Sequence, residues 1–304
     1  MARLASARYV GLAALLPLAV ASPWQMQPDG VVSASAVVTG HDENGDPTLD
    51  LKMGERGGAQ TAAWASYAAS YTTIGWDVLN ITTASQGDQG DAMYAAGYLE
   101  GHLSQKAIWS AYQNMYPQFF QWGQKPPKTF TAWINKHMDW VAAKVAAPPA
   151  AAAEKVYWQT VGSILSQLRG VAAGYAAAAP AAEFMSPADF LIMNLDGDLE
   201  TLMGAIGGMG KSAGAEIFEK LGFAPGAGYH CSALVRVAPD GHDLFFGHDT
   251  WDTYASMVRM YKHYNFHLGP GGAPTAVSMS STPGWLSSVS AAGVSSVIFN
   301  DALI

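Results

Sequence analysis

The sequence changes character at Cys231, and this change limits the folds that the chain can adopt. Residues 60–179 are rich in Ala, Tyr, Trp, Met and Gln, a pattern that predicts about four helices. The predicted breaks between them lie near residues 86–89, 123–127 and 147–149. Residues 231–238 instead alternate in side-chain character and include β-branched residues, which predicts a strand. A helix-rich part followed by a strand-rich part predicts an α+β fold.

Two β-hairpins and one further strand are predicted from local signals. Residues 31–39 and 48–52 flank Asn44-Gly45, a dipeptide typical of hairpin turns. Pro239-Asp240-Gly241 forms a turn that joins residues 231–238 to a second short strand over residues 243–247. Residues 275–279 have the composition of another strand.

Two helices are predicted in the second half of the chain. Ser186, Pro187 and Asp189 suit the N-cap, N1 and N3 positions of a helix that runs to about residue 206. Residues 250–264 predict another helix, with Asp249 or Thr250 as its cap.

The first 21 residues have the layout of a secretory signal peptide. Arg3 and Arg8 precede an apolar run over residues 11–20, and an Ala-x-Ala site ends at Ala21. The run is shorter than the ~20 residues that span a bilayer, and no later stretch is long and apolar enough. We therefore expect a secreted or lysosome-like lumenal protein, with Asn80 in Asn-Ile-Thr as a glycosylation acceptor.

The charge of the chain argues against a nucleic-acid partner. Its net charge is −8 and its pI is near 5.4. Five histidines lie from His230 to His267, so a metal site is an alternative. His263 and His267 are four residues apart, but no Glu follows His263, so the zinc-protease helix motif is absent. No metal and no cofactor is predicted.

Cys231 is the only cysteine of the chain, so no intramolecular disulfide can form. A lone thiol in a secreted protein is either reactive or an inert small hydrophobe. The preceding loop contains Gly222, Gly226 and Gly228, and a strand is predicted to follow. A flexible loop before a rigidly held thiol suits a protein that cleaves its own chain just before a nucleophilic residue. The α-amine freed by this cleavage then acts as the general base for the thiol. An ordinary join between a loop and a strand has the same pattern.

Seven segments add a more specific signal. They are residues 74–79 (IGWDVL), 91–101 (DAMYAAGYLEG), 194–199 (NLDGDL), 231–235 (CSALV), 243–251 (DLFFGHDTW), 261–264 (YKHY) and 282–288 (TPGWLSS). In these segments the chain resembles the phospholipase B-like proteins, over most of residues 30–288. The resemblance implies an N-terminal nucleophile hydrolase-like αββα sandwich with a helix-rich N-terminal part. It also implies hydrolysis of acyl bonds in phospholipids or related lipids.

The resemblance also assigns candidate site residues. It implies autocleavage between His230 and Cys231, with Cys231 as the nucleophile. His248 would orient the substrate or tune the thiol, or else only hold the hairpin together by hydrogen bonds. Trp251 would form an apolar wall for an acyl chain, or else belong to the core. Asp249 is our own assignment, as the group that binds the new α-amine.

The resemblance divides the chain into three parts. These are a signal peptide (1–21), a helix-rich part before the cut (22–230) and the start of a nucleophile-bearing β-rich part (231–304). Family members continue well beyond this length, so the sequence predicts a truncated, incomplete fold with an exposed sheet edge. Two alternatives to a phospholipase stay open, an amidase of N-acyl compounds and a catalytically inactive lipid-binding scaffold. The oligomeric state is not predicted.

Overall fold

The computed structural model describes residues 30–120, 125–195, 198–199, 202, 206, 232–249, 254–268, 275–286, 290–293 and 297–298, with backbone alone for several of them, including His248 and Asp249. Within these residues the chain is α+β, as predicted. Its main feature is an eight-stranded mixed sheet, with the strands in the order β10 (Val297–Ile298), β9 (Ser290–Gly293), β8 (Thr275–Ser281), β7 (Met260–Phe266), β4 (Asp77–Thr83), β3 (Thr61–Ala68), β1 (Val31–His41) and β2 (Pro47–Met53). The other two strands, β5 (Ser232–Val237) and β6 (Leu244–Asp249), form a separate two-stranded sheet.

The first hairpin is confirmed. Strands β1 (Val31–His41) and β2 (Pro47–Met53) pair antiparallel across a turn at residues 42–46. The Asp42 carboxylate accepts hydrogen bonds from the backbone N–H groups of Asn44 and Asp46, at 2.8 and 2.9 Å. Gly45 has φ +81°, the left-handed conformation that the Asn-Gly signal predicts.

The helical prediction is wrong for residues 60–83. This segment forms β3 (Thr61–Ala68), a short helix α1 (Tyr71–Ile74) and β4 (Asp77–Thr83). Burial along β3 alternates residue by residue up to Tyr67, with Ala63 and Ala65 on the covered face. Alanine carries no strong strand signal, so pairing with β1 and β4 decided the structure here.

The helix predicted over residues 250–264 is also wrong. A 3₁₀ turn at Tyr254–Met257 leads into β7 (Met260–Phe266). Strand β7 runs parallel to β4 and antiparallel to β8 (Thr275–Ser281), which confirms the strand predicted at residues 275–279. Met260, Lys262 and Tyr264 are buried in alternation, because β7 lies in the interior of the sheet. The short strands β9 (Ser290–Gly293) and β10 (Val297–Ile298) follow.

Residues 89–178 are helical as predicted, and the breaks near residues 123–127 and 147–149 are confirmed, but the break at Ser104 was not predicted. The helices are α2 (Gln89–Leu103), α3 (Gln105–Phe119), α4 (Lys128–Ala146) and α5 (Ala152–Ala178). Helix α6 (Pro187–Met193) begins at the predicted Ser186 cap, where Asp189 completes a capping box. The structure ends α6 at Met193, before the predicted residue 206. Among the described residues, none of the helices combines the length and apolar character that crossing a bilayer requires.

Helix α2 packs closely on one face of the sheet, and α5 packs closely on α2. Four strand alanines lie on that face without exposure, or nearly so: Ala34, Ala36, Ala63 and Ala65. Where α2 crosses α5, a Cβ added to Gly97 would lie 2.0 Å from the carbonyl oxygen of Gln167, and one on Gly174 2.0 Å from that of Tyr98. The two helices therefore meet backbone to backbone.

We expect Gly174→Ala to lower the free energy of unfolding by about 1–3 kcal/mol, because the new methyl group has no space beside the Tyr98 carbonyl. Without that clash, alanine would stabilise a helix by about 0.5–1 kcal/mol relative to glycine. Urea unfolding followed by circular dichroism measures the change. Gly58→Ala is the control, because nothing lies within 4 Å of the Cβ that it would add. An unchanged or higher urea midpoint for Gly174→Ala would disprove the close crossing.

Candidate active site

The predicted site segment forms a β-hairpin. Strands β5 (Ser232–Val237) and β6 (Leu244–Asp249) pair antiparallel, as the sequence predicts. Their register pairs Ser232 with Asp249 and Ala233 with His248. The backbones of two candidate residues, His248 and Asp249, are thus next to the two residues that follow Cys231 in the chain. His230, Cys231 and Trp251 lie outside the described residues, so their assignment stays a prediction.

The hairpin is exposed over most of its described side chains. Leu234, Val235 and Val237 of β5, and Leu244 and Phe245 of β6, are 39–69% exposed. A two-stranded ribbon with apolar side chains on both faces is marginally stable unless it is covered. The hairpin therefore keeps the backbones of His248 and Asp249 in register with β5. It buries little apolar surface that could hold these residues in one position.

A buried ion pair lies between α2 and the sheet, and it joins two of the segments that carry the family resemblance. Lys262 Nζ of β7 lies 2.6 Å from Glu100 Oε1 of α2, and both side chains are fully buried. The Tyr264 hydroxyl donates to Glu100 Oε2 at 2.6 Å. Burial lowers the pKa of Lys262, and the Glu100 carboxylate opposes that shift. Burial and Glu100 both raise the pKa of Tyr264, which stays a neutral donor.

The network continues into two further segments of the resemblance. The Lys262 ammonium also donates to the carbonyl oxygen of Trp285. Asn194, just after α6, donates to the Gly284 carbonyl at 3.0 Å and accepts from the Leu286 N–H at 2.7 Å. Residues 91–101, 194–199, 261–264 and 282–288, far apart in the chain, are therefore tied together by hydrogen bonds.

Asp77 plays a similar part in the segment over residues 74–79. Its carboxylate accepts from the Tyr67 hydroxyl at 2.7 Å and from the Tyr71 N–H at 2.9 Å. Burial is the main cause that raises the pKa of Tyr67, with Asp77 as a second cause. In the described residues, the segments that carry the resemblance thus mainly build the scaffold, while two candidate site residues, His248 and Asp249, lie on the β5–β6 hairpin.

The face of the sheet that points away from α2 is polar and contains a cavity of about 490 Å³. Its principal lining residues are Arg56, Trp64, Ser66, Asn80, Thr82, His263 and Asn265. The Arg56 guanidinium lies 5.9 Å from the centre of the Trp64 ring. His263 Nδ1 is 2.6 Å from Ser278 Oγ, and burial lowers the pKa of His263, which favours a neutral imidazole. Such a cavity can bind a polar group through hydrogen bonds and through the positive charge of the Arg56 guanidinium.

Asn80, the predicted glycosylation acceptor, lies on β4 within this polar face. Its side-chain amide is half-buried and donates to Ser66 Oγ at 3.4 Å. Glycosylation acceptors usually lie in surface loops, unlike this interior strand of the sheet. Glycosylation of Asn80 stays a prediction.

Sequence reasoning did not identify the buried ion pair or the polar cavity. Lys262, His263 and Glu100 belong to segments that the sequence singled out, but nothing local indicates that Glu100 and Lys262 meet. The described residues contain no group of three or more His, Cys, Asp or Glu side chains placed to hold a metal. Within that part of the chain, His263 instead contacts a serine of the neighbouring strand.

Comparisons with known proteins agree on one family. The family model described as Phospholipase B matches residues 63–291. The rat protein named phospholipase B-like 1 is 30% identical over 288 residues, which cover 90% of this chain and 49% of the rat protein.

Two proteins of Dictyostelium discoideum have the same level of identity. Phospholipase B-like protein B is 30% identical over 205 residues, or 67% of this chain and 35% of that protein. Phospholipase B-like protein A is 30% identical over 249 residues, or 75% of this chain and 41% of that protein. The chain therefore spans less than half the length of these curated relatives.

Proposed function

Because the chain belongs to the phospholipase B family, we propose that it releases fatty acids from phospholipids, with Cys231 as an N-terminal nucleophile freed by self-cleavage. The observation that carries this proposal is the hairpin register, in which Ser232 and Ala233 pair with Asp249 and His248. The proposed carboxylate and imidazole, Asp249 and His248, belong to β6, whose backbone pairs with the two residues that follow Cys231 in the chain. The protein would be secreted or lysosome-like lumenal after loss of residues 1–21.

The proposed fold is an N-terminal nucleophile hydrolase-like αββα sandwich. Two observations support it. Helix α2 covers one face of the main sheet with α5 packed on α2, while the opposite face carries the polar cavity with His263 and Asn265. In a four-layer arrangement, that second face would meet another sheet, and the β5–β6 hairpin is a separate sheet with apolar surface to bury.

Self-cleavage would begin with attack of Cys231 Sγ on the carbonyl carbon of His230. The peptide nitrogen leaves as the α-amine of Cys231, and a thioester links the two parts. Water then hydrolyses the thioester, which frees the thiol and leaves a carboxylate on His230. The Gly-rich loop before the cut suits this step, because glycine permits the backbone conformations that the attack needs.

Lipid hydrolysis would reuse the same thiol. The α-amine of Cys231 takes the thiol proton, and the thiolate attacks the ester carbonyl of the substrate. The lysophospholipid alcohol leaves with that proton, and water releases the fatty acid from the acyl-enzyme. We assign Asp249 to bind the protonated α-amine, His248 to orient the ester, and Trp251 to contact the acyl chain.

The test is the intact mass of the purified protein beside that of its Cys231→Ala variant. We expect the unmodified protein to give two pieces, the second beginning at Cys231, and the variant to stay whole. A Ser232→Ala variant, changed at the next residue, is the control and should be cut normally. If Cys231→Ala is cut into two pieces, or if the unmodified protein stays whole, self-cleavage by this thiol is rejected.

A further inference from the structure

Helices α4 and α5 carry exposed aromatic side chains that the candidate site does not use. On α4, the rings of Trp133 and His137 stack at 5.2 Å between centres, and His137 stacks on Trp140 at 5.7 Å. Trp140 meets Trp158 of α5 edge-on at 5.4 Å, and Tyr157 is next to Trp158. Trp140 is 51% exposed and Tyr157 61% exposed. We call Trp133, His137, Trp140 and Tyr157 the aromatic ridge.

The aromatic ridge is not the face by which α4 packs on the protein. Phe130, Ile134 and Val141 are the buried side chains of that helix. The ridge lies beside this buried stripe and leaves large apolar rings in water. Contiguous exposed apolar surface of this kind marks a site of interaction with a membrane or another molecule.

The charge around the aromatic ridge is the opposite of that of the whole chain. Lys136 lies between Trp133 and Trp140 at helical spacings of three and four residues, which places it on their side of α4. The Lys144 ammonium is 6.0 Å from the centre of the Trp140 ring. The chain as a whole has a net charge of −8. Helix α4 and the first turn of α5 contain four lysines (Lys128, Lys136, Lys144 and Lys155) and two acidic residues (Asp139 and Glu154). With Asp198, which lines a cavity beside Trp133, the lysines still outnumber the acidic residues by four to three.

We propose that the aromatic ridge docks on the surface of an anionic lipid bilayer. Tryptophan and tyrosine favour the boundary between headgroups and acyl chains, because one end of each ring system is polar and the rest is apolar. Lysines beside them are attracted to anionic headgroups. This combination of aromatic rings and lysines favours a lipid surface over a protein partner.

An apolar cavity next to the aromatic ridge supports this proposal. It has a volume of about 340 Å³, and Trp133 and His137 belong to its lining. The other walls are mostly apolar, with one carboxylate, that of Asp198; they come from Ile134, Met138, Val141, Leu165, Leu191, Leu195, Asp198 and Leu202. A lipid acyl chain at the docked surface has the chemistry to fill such a space. The purpose of docking rests on the proposed function, since it would keep a lipid hydrolase at its substrate.

The experiment is sedimentation of the full chain with phosphatidylcholine vesicles, with and without phosphatidylserine, in the Cys231→Ala background so that no turnover occurs. We expect binding to the vesicles that contain phosphatidylserine. Trp133→Ala combined with Trp140→Ala should lower the partition coefficient at least about tenfold. Lys136→Ala should lower it roughly fivefold.

Two matched controls lie outside the aromatic ridge. Tyr254→Ala removes an aromatic ring that is 91% exposed, and Lys52→Ala removes an exposed lysine of β2. Both should bind vesicles as the parent protein does. Lack of binding to vesicles with phosphatidylserine would overturn the proposal. Equal binding by the ridge variants would also overturn it.

Lys136→Glu keeps the test decisive if the double tryptophan variant fails to fold, because this exposed change alone should abolish most of the binding. Unchanged binding would reject the proposal. Hydrolysis is tested separately with the parent protein, which keeps Cys231, by measuring fatty-acid release from a lysophospholipid below its critical micelle concentration. No release there would count against the proposed function and leave the docking result intact.

Discussion

Replacing Lys262 by methionine is expected to lower the free energy of unfolding by about 3–5 kcal/mol, because it leaves the Glu100 carboxylate buried without its cation. Glu100 is fully buried beneath the sheet, where water cannot replace the lost ammonium. The Tyr264 hydroxyl still donates to Glu100, but one neutral donor does not compensate a buried charge. Urea unfolding followed by circular dichroism measures the loss.

A double-mutant cycle with Glu100→Gln separates the charge from the packing. Glu100→Gln alone leaves the Lys262 ammonium buried, whereas the double variant contains neither charge and keeps an acceptor for Tyr264. We therefore expect the double variant to be more stable than either single variant. The surface change Lys52→Met is the control and should stay within about 0.5 kcal/mol of the parent protein. Additive losses in the cycle would show that the two charges are not coupled.

The distance along the chain between two paired segments decides which parts of the fold could be predicted from the sequence. The hairpin of β1 and β2 was predictable, because Asn44-Gly45 is a signal contained in a few neighbouring residues. Strand β7 was not, because it pairs with β4 in parallel, for example His263 with Asn80, far along the chain. A pattern of local residues cannot report such a partner, so a helix was predicted where tertiary pairing makes a strand.

The candidate site shows the same division. The β5–β6 hairpin was predicted from the turn at Pro239-Asp240-Gly241, and its strands form as expected. The resemblance singled out the segments that contain Glu100 and Lys262. It did not indicate that these two side chains, which are 162 residues apart in the chain, are in contact. The polar cavity was missed because its walls come from four strands (β1, β3, β4 and β7) and the segment after β2, and their shared face exists only once the sheet has formed.

Alkylation with iodoacetamide is expected to abolish fatty-acid release by the cleaved protein, by at least about a thousandfold in kcat/KM. Cys231 is the only cysteine of the sequence, so the reagent has a single thiol to modify. A nucleophile activated by its own α-amine is partly thiolate at neutral pH, which makes it reactive toward the reagent. Mass spectrometry of the fragments should find one carbamidomethyl group, on the piece that begins at Cys231.

The alternative to a nucleophile is an inert buried thiol, and the two differ in a second measurable respect. An inert thiol packed as a small hydrophobe reacts only after unfolding in urea, whereas a catalytic thiol reacts in the native protein and is protected by substrate. The Cys231→Ala variant, treated identically, should incorporate no label and release no fatty acid. Full native labelling with retained hydrolysis would show that another group attacks the ester. The catalytic assignment of Cys231 would then be wrong, even though the chain belongs to the phospholipase B family.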